Sequence, residues 1–290
     1  MKGRLCVFGE VLFDHFPDGQ RVLGGAPFNV AWNLQALGQP VDFISRVGDD
    51  SEGQAVRQAM RSWGMDTAGL QTDPAHPTGR VSVSLQGGEP AYDIVAPVAY
   101  DRIQPPREEH PGCSILYHGS LALRDPVSRA ALDALLESAP RILFVDVNLR
   151  PPWWRGDEVL KWIDRAHWVK LNTEELELLS PPGSRNPDPA DFLHEHRLQG
   201  LILTHGGDGA ELFTAQGEHH RVVPEATNDV VDTVGAGDAF ASVMLLGLAR
   251  AWPLELTLRR AQSFASALVG QRGATVPNHA YYQSFVDDWQ

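Results

Sequence analysis

The second half of the chain alternates short apolar runs with stretches of helical length and pattern. Each apolar run has four to six residues, and polar or turn-forming residues follow it. Strands that are apolar on both faces are typical of parallel sheets covered by helices on both sides. The pattern therefore predicts a doubly wound α/β fold with a mostly parallel sheet. The predicted strands are 113–117, 142–147, 168–171 and 201–204, and the predicted helices are 125–136, 158–165, 174–179 and one that begins at Asp188–Pro189.

The N-terminal part of the chain repeats this alternation. Residues 5–8 are predicted as a buried first strand, and residues 28–37 as a helix. A strand at 41–47 follows, and Ser51 is the predicted N-cap of a helix that runs towards Trp63.

Between these two parts, apolar and polar residues alternate strictly over 80–86, which predicts a half-buried antiparallel strand. This strand turns back over 92–95, and a second predicted hairpin joins 12–16 to 21–23. The two hairpins predict a small antiparallel sheet beside the main one. We expect a single domain over 1–290, with a β lid formed from about 11–24 and 79–100.

The composition of the chain limits the range of functions that it can have. The chain has 290 residues, 43% of them hydrophobic, which suffices for one large α/β domain. Its net charge is −13 and its only lysines are Lys2, Lys161 and Lys170, so no basic surface for nucleic acid is predicted. The same acidity argues against a polyanionic substrate.

Cysteine and hydropathy patterns bear on location. Cys6 and Cys113 lie far apart in apolar, strand-like runs, which predicts buried free thiols in a reducing compartment. No signal peptide is predicted, and no apolar segment reaches the ~18 residues that suggest a membrane span. We therefore expect a cytoplasmic protein with no membrane partner.

The most informative segment is Asp232–Phe240, with the sequence DTVGAGDAF, followed by a run of helix formers. A glycine-rich turn that opens a helix directs free N–H groups and the positive end of the helix dipole at one point, which suits phosphate. Asp238 falls in the first turn of that helix. It can take a proton from an attacking hydroxyl, or it can simply complement the dipole.

Polar residues also follow three earlier strands, at 146–150, 172–175 and 204–209. Ligands of open α/β sheets bind at the carboxyl ends of the strands, so these segments are candidate site residues. Asn172 and Thr204 can instead be an ordinary helix cap and turn residue.

Other sites are excluded by pattern. The chain lacks the phosphate-binding motif G-x-x-x-x-G-K-[ST], and Phe240 occupies the third glycine position of a dinucleotide fingerprint. His194 and His196 are two residues apart and cannot share a helix face, so no metal site is predicted there.

The Asp232–Phe240 segment resembles the signature of the ribokinase-like (phosphofructokinase B-type) carbohydrate kinases, and the resemblance extends over nearly the whole chain. It implies ATP-dependent phosphorylation of a primary hydroxyl, with Asp238 as catalytic base. It also implies that the backbone of Gly235, Ala236 and Gly237 forms an anion hole for the transferred phosphoryl group. An oxidoreductase dependent on a dinucleotide and a non-catalytic sugar sensor are the rival functions.

The resemblance assigns the nucleotide side. Asn172 and Glu175 match the family's N-x-x-E element, which orders Mg²⁺, so Glu175 is the expected metal residue. The resemblance also allows for a monovalent cation such as K⁺. Arg150 belongs to a D-x-N-x-R element and is expected to meet phosphate, unless it is an ordinary surface arginine. The residues expected to line the nucleotide site are Asn172, Thr204, Gly206, Gly209, Gly235, Gly237 and, near the adenine, Asn278.

The resemblance also assigns the sugar side. Glu10 and the substrate-binding residues Asp14, Gly24, Gly25, Asn29 and Arg150 are similar to the family's substrate region. The segments GAPFNVA and GSLALR look most like bacterial fructokinase-type members, so a small neutral sugar, fructose first, is the expected substrate. Ribose, 2-keto-3-deoxygluconate and nucleosides remain alternatives. A homodimer that pairs lids is also expected.

Overall fold

The computed structural model describes residues 4–86, 89–106, 113–181, 183, 186–224, 232–271 and 273–289. Two sheets and the helices around them make up this part of the chain. The helices are α1 (Ala26–Ala36), α2 (Ser51–Ser62), α3 (Pro126–Leu136), α4 (Gly156–Ile163), α5 (Thr173–Leu179), α6 (Pro189–Glu195), α7 (Ala236–Arg250), α8 (Leu254–Val269) and α9 (His279–Asp288).

The main sheet consists of strands β1 (Leu5–Phe8), β4 (Val41–Gly48), β5 (Leu70–Asp73), β8 (Ile115–His118), β9 (Ile142–Asp146), β10 (Trp168–Asn172), β11 (Gly200–Thr204), β12 (Ala210–Thr214) and β13 (His219–Val222). Among the described residues their order is β13-β12-β11-β10-β9-β8-β1-β4-β5. All neighbours are parallel except β11–β12 and β12–β13, which form an antiparallel edge. The predicted mostly parallel sheet is therefore confirmed.

Successive residues of β1 enter two different hydrophobic cores, which is why the whole strand is apolar. Leu5 and Val7 pack into the core under α1, α2, α7, α8 and α9. Cys6 and Phe8 pack into the core under α3, α4, α5 and α6. Helices thus cover both faces of the sheet, as the continuous apolar strands predicted.

The second sheet has the order β3-β2-β6-β7 and comprises β2 (Leu12–His15), β3 (Arg21–Gly24), β6 (Gly79–Gln86) and β7 (Glu89–Ile94). Both predicted hairpins are present, and a parallel pairing of β2 with β6 joins them. Val81 and Val83 are buried while Ser84 is exposed, in agreement with the predicted alternation. The side chain of Leu85 and residues 87–88 lie outside the described part.

Two local predictions are wrong. Asp50, not Ser51, caps α2, because its carboxylate accepts the Gly53 N–H at 2.8 Å. Cys6 and Cys113 are joined in a disulfide rather than free. The registration of Leu5 with Ile115 brings Cys113, just before β8, to a Cα–Cα distance of 5.8 Å from Cys6, within the usual range for a disulfide.

In the described part of the chain, every helix is too short or too polar to cross a membrane.

Candidate active site

The glycine-rich segment forms a tight turn at the start of α7. Gly235 is the N-cap residue, with φ of 83°, and a side chain there would collide with Ala274. Asp232 braces the turn, because its carboxylate accepts the N–H of Val234 at 3.0 Å and that of Gly273 at 3.1 Å. The Ala236 N–H is directed at the Thr233 carbonyl, 3.3 Å away. Of the three predicted anion-hole amides, the one at Ala236 is thus engaged inside the turn.

Asp238 lies in the first turn of α7, as predicted, and is half-buried. Its carboxylate accepts a hydrogen bond of 2.8 Å from the side chain of Asn29, a buried residue of α1. Burial raises the pKa of Asp238 to about 6, and the hydrogen bond from Asn29 offsets part of that rise. The helix start thus carries a carboxyl group whose pKa lies close to neutral, which suits a general base.

A buried ion pair lies beside the turn. The Lys170 ammonium contacts both oxygens of the Asp146 carboxylate, at 2.9 and 3.1 Å, and Tyr117 donates to Asp146 at 3.3 Å. Burial disfavours the charged lysine, but the attraction of Asp146 prevails and raises the pKa of Lys170. A Cβ atom on Gly237 would lie 3.4 Å from the Lys170 ammonium, so a permanent cation borders the predicted anion hole.

Lys170 is not among the site residues that the sequence predicts. The signal was present, because Lys170 is a charged residue inside an otherwise apolar strand, two positions before Asn172. Its partner on β9 could not be identified without the pairing of β9 with β10, which places Lys170 opposite Asp146.

Asn172 and Glu175 cap α5 for each other. The Asn172 side chain accepts the Glu175 N–H at 2.8 Å, and Glu175 accepts the Asn172 N–H at 3.0 Å. The other oxygen of Glu175 accepts the Leu149 N–H at 2.7 Å, which ties α5 to the loop after β9. Burial raises the pKa of Glu175, although these hydrogen bonds oppose the rise. In the described part of the chain, no group of three or more His, Cys, Asp or Glu side chains is arranged to hold a metal ion.

The remaining nucleotide-side predictions fall in two places. Thr204 ends β11 directly opposite Asn172, and Gly206 and Gly209 follow it with φ of 57° and 99°. A side chain on Gly209 would collide with the Val222 carbonyl, whereas Gly206 faces open space. Asn278 is an exposed cap of α9 that accepts the Ala280 N–H at 3.0 Å, and it makes no described contact with the other predicted residues.

The predicted sugar-side residues converge on Gly24, the last residue of β3. A Cβ atom there would lie 3.6 Å from an Asp14 carboxylate oxygen and 4.0 Å from the Asn29 amide oxygen. Burial raises the pKa of Asp14 to about 6. Gly25 has φ of 108°, and a Cβ atom there would lie 2.8 Å from the Glu10 carbonyl, so the chain passes very close to the end of β1.

Arg150 is exposed after β9, and its guanidinium donates to the Leu149 carbonyl at 3.1 Å. Burial raises the pKa of both Asp238 and Glu10, and the charge of Arg150 offsets part of each rise. The arginine thus stands within electrostatic reach of Asp238, although the described side chains give it no acidic partner.

Comparison with known proteins identifies the family. A model of the pfkB family carbohydrate kinases matches residues 5–280. The chain belongs to the pfkB family of carbohydrate kinases. It is a kinase, and the oxidoreductase alternative is set aside.

Several pfkB relatives match most of the chain. An aminoimidazole riboside kinase of Salmonella typhimurium is 33% identical over 86% of this chain and 82% of its own length. A fructokinase of Klebsiella pneumoniae is 32% identical over 86% of this chain and 85% of its own. The structure of a fructokinase double mutant of Vibrio cholerae O395, in a form with fructose, ADP and potassium ion bound, superposes with a TM-score of 0.81 at 27% identity. It covers 98% of both chains.

Proposed function

We propose that this chain transfers the γ-phosphoryl group of ATP to a primary hydroxyl of a small neutral sugar, with fructose as the first candidate. The observation that carries the proposal is the position of the Asp238 carboxylate. It accepts a hydrogen bond from Asn29, and Asp238 comes directly after Gly237. A Cβ atom on Gly237 would lie 3.4 Å from the Lys170 ammonium. A base and a cation therefore flank one glycine turn at a helix N-terminus.

In this mechanism Asp238 accepts the proton of the attacking hydroxyl as the new O–P bond forms and the bond between the γ-phosphorus and the bridging oxygen breaks, so that ADP leaves. Phosphoryl transfer requires mainly positioning and stabilisation of charge. The N–H groups at Gly235 and Gly237 and the Lys170 ammonium stabilise the charge on the moving phosphoryl group. Arg150 supplies a second cation from the loop after β9.

The nucleotide would lie over the ends of β10 and β11, against Asn172, Thr204, Gly206 and Gly209. Mg²⁺ typically keeps several waters and binds through one or two carboxylates and the phosphates, so Glu175, whose oxygens retain lone pairs, fits such an ion. The metal would neutralise phosphate charge. A monovalent cation such as K⁺ is included because potassium is bound in the Vibrio enzyme.

The sugar would lie between the second sheet and α1. Asp14 and Asn29 offer hydrogen-bond acceptors and a donor to sugar hydroxyls, and Gly24, between them, lets the ring approach the backbone.

We further propose that residues 1–290 form one kinase domain, that 11–24 and 79–100 act as its lid, and that two lids pair in a homodimer. A cytoplasmic location, where ATP is regenerated, completes the proposal.

A coupled assay of ADP release over a panel of acceptors tests this function. The panel contains fructose, ribose, 2-keto-3-deoxygluconate, fructose 6-phosphate and aminoimidazole riboside. We expect fructose to give the highest kcat/KM. Aminoimidazole riboside is the second candidate because a relative of that activity shares 33% identity. A sugar phosphate as best substrate would contradict the neutral-sugar assignment, and no ADP release with any acceptor would contradict the kinase itself.

A further inference from the structure

Three buried polar atoms beside the candidate site have no hydrogen-bond partner among the described residues. They are Oε2 of Glu10, the hydroxyl of Tyr100 and Nη1 of Arg124. Glu10 is 3% exposed, Tyr100 is fully buried, and the Arg124 side chain is 5% exposed. A buried polar group without a partner costs free energy, and proteins almost always satisfy it with protein, water or ligand.

The three groups come from different elements, and their charges act on one another. Glu10 follows β1, Tyr100 lies in a short 3₁₀ helix (Ala99–Arg102), and Arg124 ends another (Leu121–Arg124). The Arg124 guanidinium lies 5.1 Å from the centre of the Tyr100 ring, and its charge acts on Glu10 as well as on Tyr100.

The orientation of Arg124 is fixed by its other contacts. It forms a fork with Asp101, at 2.7 and 2.9 Å, and donates to the Val95 carbonyl at 2.8 Å. Trp153 covers it, with the guanidinium 4.4 Å from the ring centre. Only Nη1 therefore remains to bind anything else, and its direction is set in advance.

This cluster adjoins the site. The charges of Asp238 and Arg150 both act on the Glu10 carboxyl, and the Glu10 carbonyl is the atom closest to the Cβ position of Gly25. A Cβ atom added to Gly79, the first residue of β6, would lie 2.7 Å from the Tyr100 ring. The cluster thus spans the space between the catalytic centre and the base of the second sheet.

We propose that Glu10, Tyr100 and Arg124 form an acceptor subsite that binds neutral hydroxyl groups of the sugar other than the one phosphorylated. This inference rests on the proposed sugar kinase function and deepens it. A hydroxyl can accept from Arg124 or Tyr100 and donate to Glu10, so one or two hydroxyls would satisfy all three atoms.

Charge favours a neutral group. The Arg124 cation is already paired with Asp101, and Glu10 adds an acidic group whose pKa burial raises to about 7. The cluster therefore offers no surplus positive charge for a carboxylate or phosphate. A site built to bond a hydroxyl strongly rejects an analogue that lacks it, so these residues would select among sugars.

Tyr100→Phe tests the subsite, because it removes only the hydroxyl. Tyr281→Phe on α9 is its matched control, because the Tyr281 hydroxyl is also buried with no hydrogen-bond partner among the described residues and its ring packs against Phe264 on α8. For the best neutral sugar we expect Tyr100→Phe to raise the sugar KM about 3- to 10-fold and leave the ATP KM unchanged. Wild type should discriminate against one monodeoxy analogue of that sugar, and Tyr100→Phe should lose this discrimination. An unchanged sugar KM, or an equal rise in Tyr281→Phe, would overturn the subsite.

Other outcomes separate this inference from the function. If a sugar acid outperforms every neutral sugar, the neutral subsite is wrong while the kinase stands. If no sugar supports ADP release, the kinase proposal fails, and a binding measurement decides the subsite. Neutral sugars without ATP should then raise the melting temperature of wild type and Tyr281→Phe but not of Tyr100→Phe. No rise in wild type would overturn the subsite as well.

Discussion

The side chain of Asn29, on the first helix, donates a hydrogen bond of 2.8 Å to the carboxylate of Asp238, on the seventh. Asn29 is buried and cannot leave the contact without disturbing the packing of α1, so it holds the carboxylate at the mouth of the glycine turn. The bond favours the charged form of Asp238, against the effect of burial. In the proposed mechanism, the balance between these two effects sets the pH at which Asp238 acts as a base.

The pH profile of kcat/KM should therefore have an acidic limb near pH 6. A base acts when deprotonated, so activity should fall about tenfold per pH unit below the pKa of Asp238, which burial raises to about 6. Asn29→Ala removes the hydrogen bond that lowers this pKa, and the limb should move to higher pH. A limb that stays in place in the Asn29→Ala enzyme, or moves to lower pH, would contradict this account.

Asp238→Asn should lower kcat by about 10²- to 10⁴-fold with little change in the ATP KM. Although this substitution lowers activity, it should raise the free energy of unfolding above pH 6. The pKa is higher in the folded protein than the ordinary value of 3.8, so the folded state loses stability as pH rises from about 4 to 6. At pH 8 the asparagine should raise the free energy of unfolding by about 1–3 kcal/mol, and near pH 4 the difference should vanish.

Asp191→Asn is the control for both measurements, since Asp191 is exposed on α6. It should leave both kcat and unfolding unchanged. Near-normal turnover of Asp238→Asn would remove this residue from the mechanism.

Lys170→Met should separate a catalytic role from a structural one. The single substitution leaves the Asp146 carboxylate buried without its cation, which typically costs about 3–5 kcal/mol of stability. The double variant Lys170→Met, Asp146→Asn should recover most of that stability. We expect kcat to remain low by about 10²-fold in the double variant, because the phosphoryl group still lacks the cation.

Lys161→Met, on the exposed side of α4, is the matched control and should retain full activity. Recovery of kcat together with stability in the double variant would show that Lys170 acts only through the fold.

The sequence predicted elements far better than contacts between them. The start of α3 and the cap at Asn172 follow from local rules, because a cap or proline acts within a few residues. β5, β12, β13, α8 and α9 were not predicted. The partners of Lys170 and of Cys6 could not be predicted either. Asp146 lies on a neighbouring strand and Cys113 lies just before one, and an intervening segment separates each from its partner along the chain.

The proposed lid dimer should depend on Tyr92. Val83 on β6 is already buried within the single chain, so Val83→Asp would damage the fold itself and cannot test a contact between lids. Tyr92 on β7 is a large side chain that is 58% exposed, and Tyr92→Asp should convert a dimer into monomers. Sedimentation at micromolar concentration measures this. A fully active wild-type monomer, or a Tyr92→Asp dimer of unchanged strength, would contradict the assignment.

The Cys6–Cys113 disulfide should stabilise the purified protein in the absence of reductant. It spans 107 residues of sequence, and a closed loop of that length contributes about 4–5 kcal/mol in the chain-entropy account. Reduction should therefore lower the melting temperature, and Cys113→Ser should have the same effect and abolish the response to reductant.

Because disulfides are rare in the cytosol, trapping of thiols at the moment of cell lysis is the informative measurement of location. Two alkylated cysteines in trapped protein, with disulfide formation only after purification, would support the cytoplasmic location. An intact disulfide at lysis would contradict it, and two free thiols in unreduced, purified protein would contradict the disulfide itself.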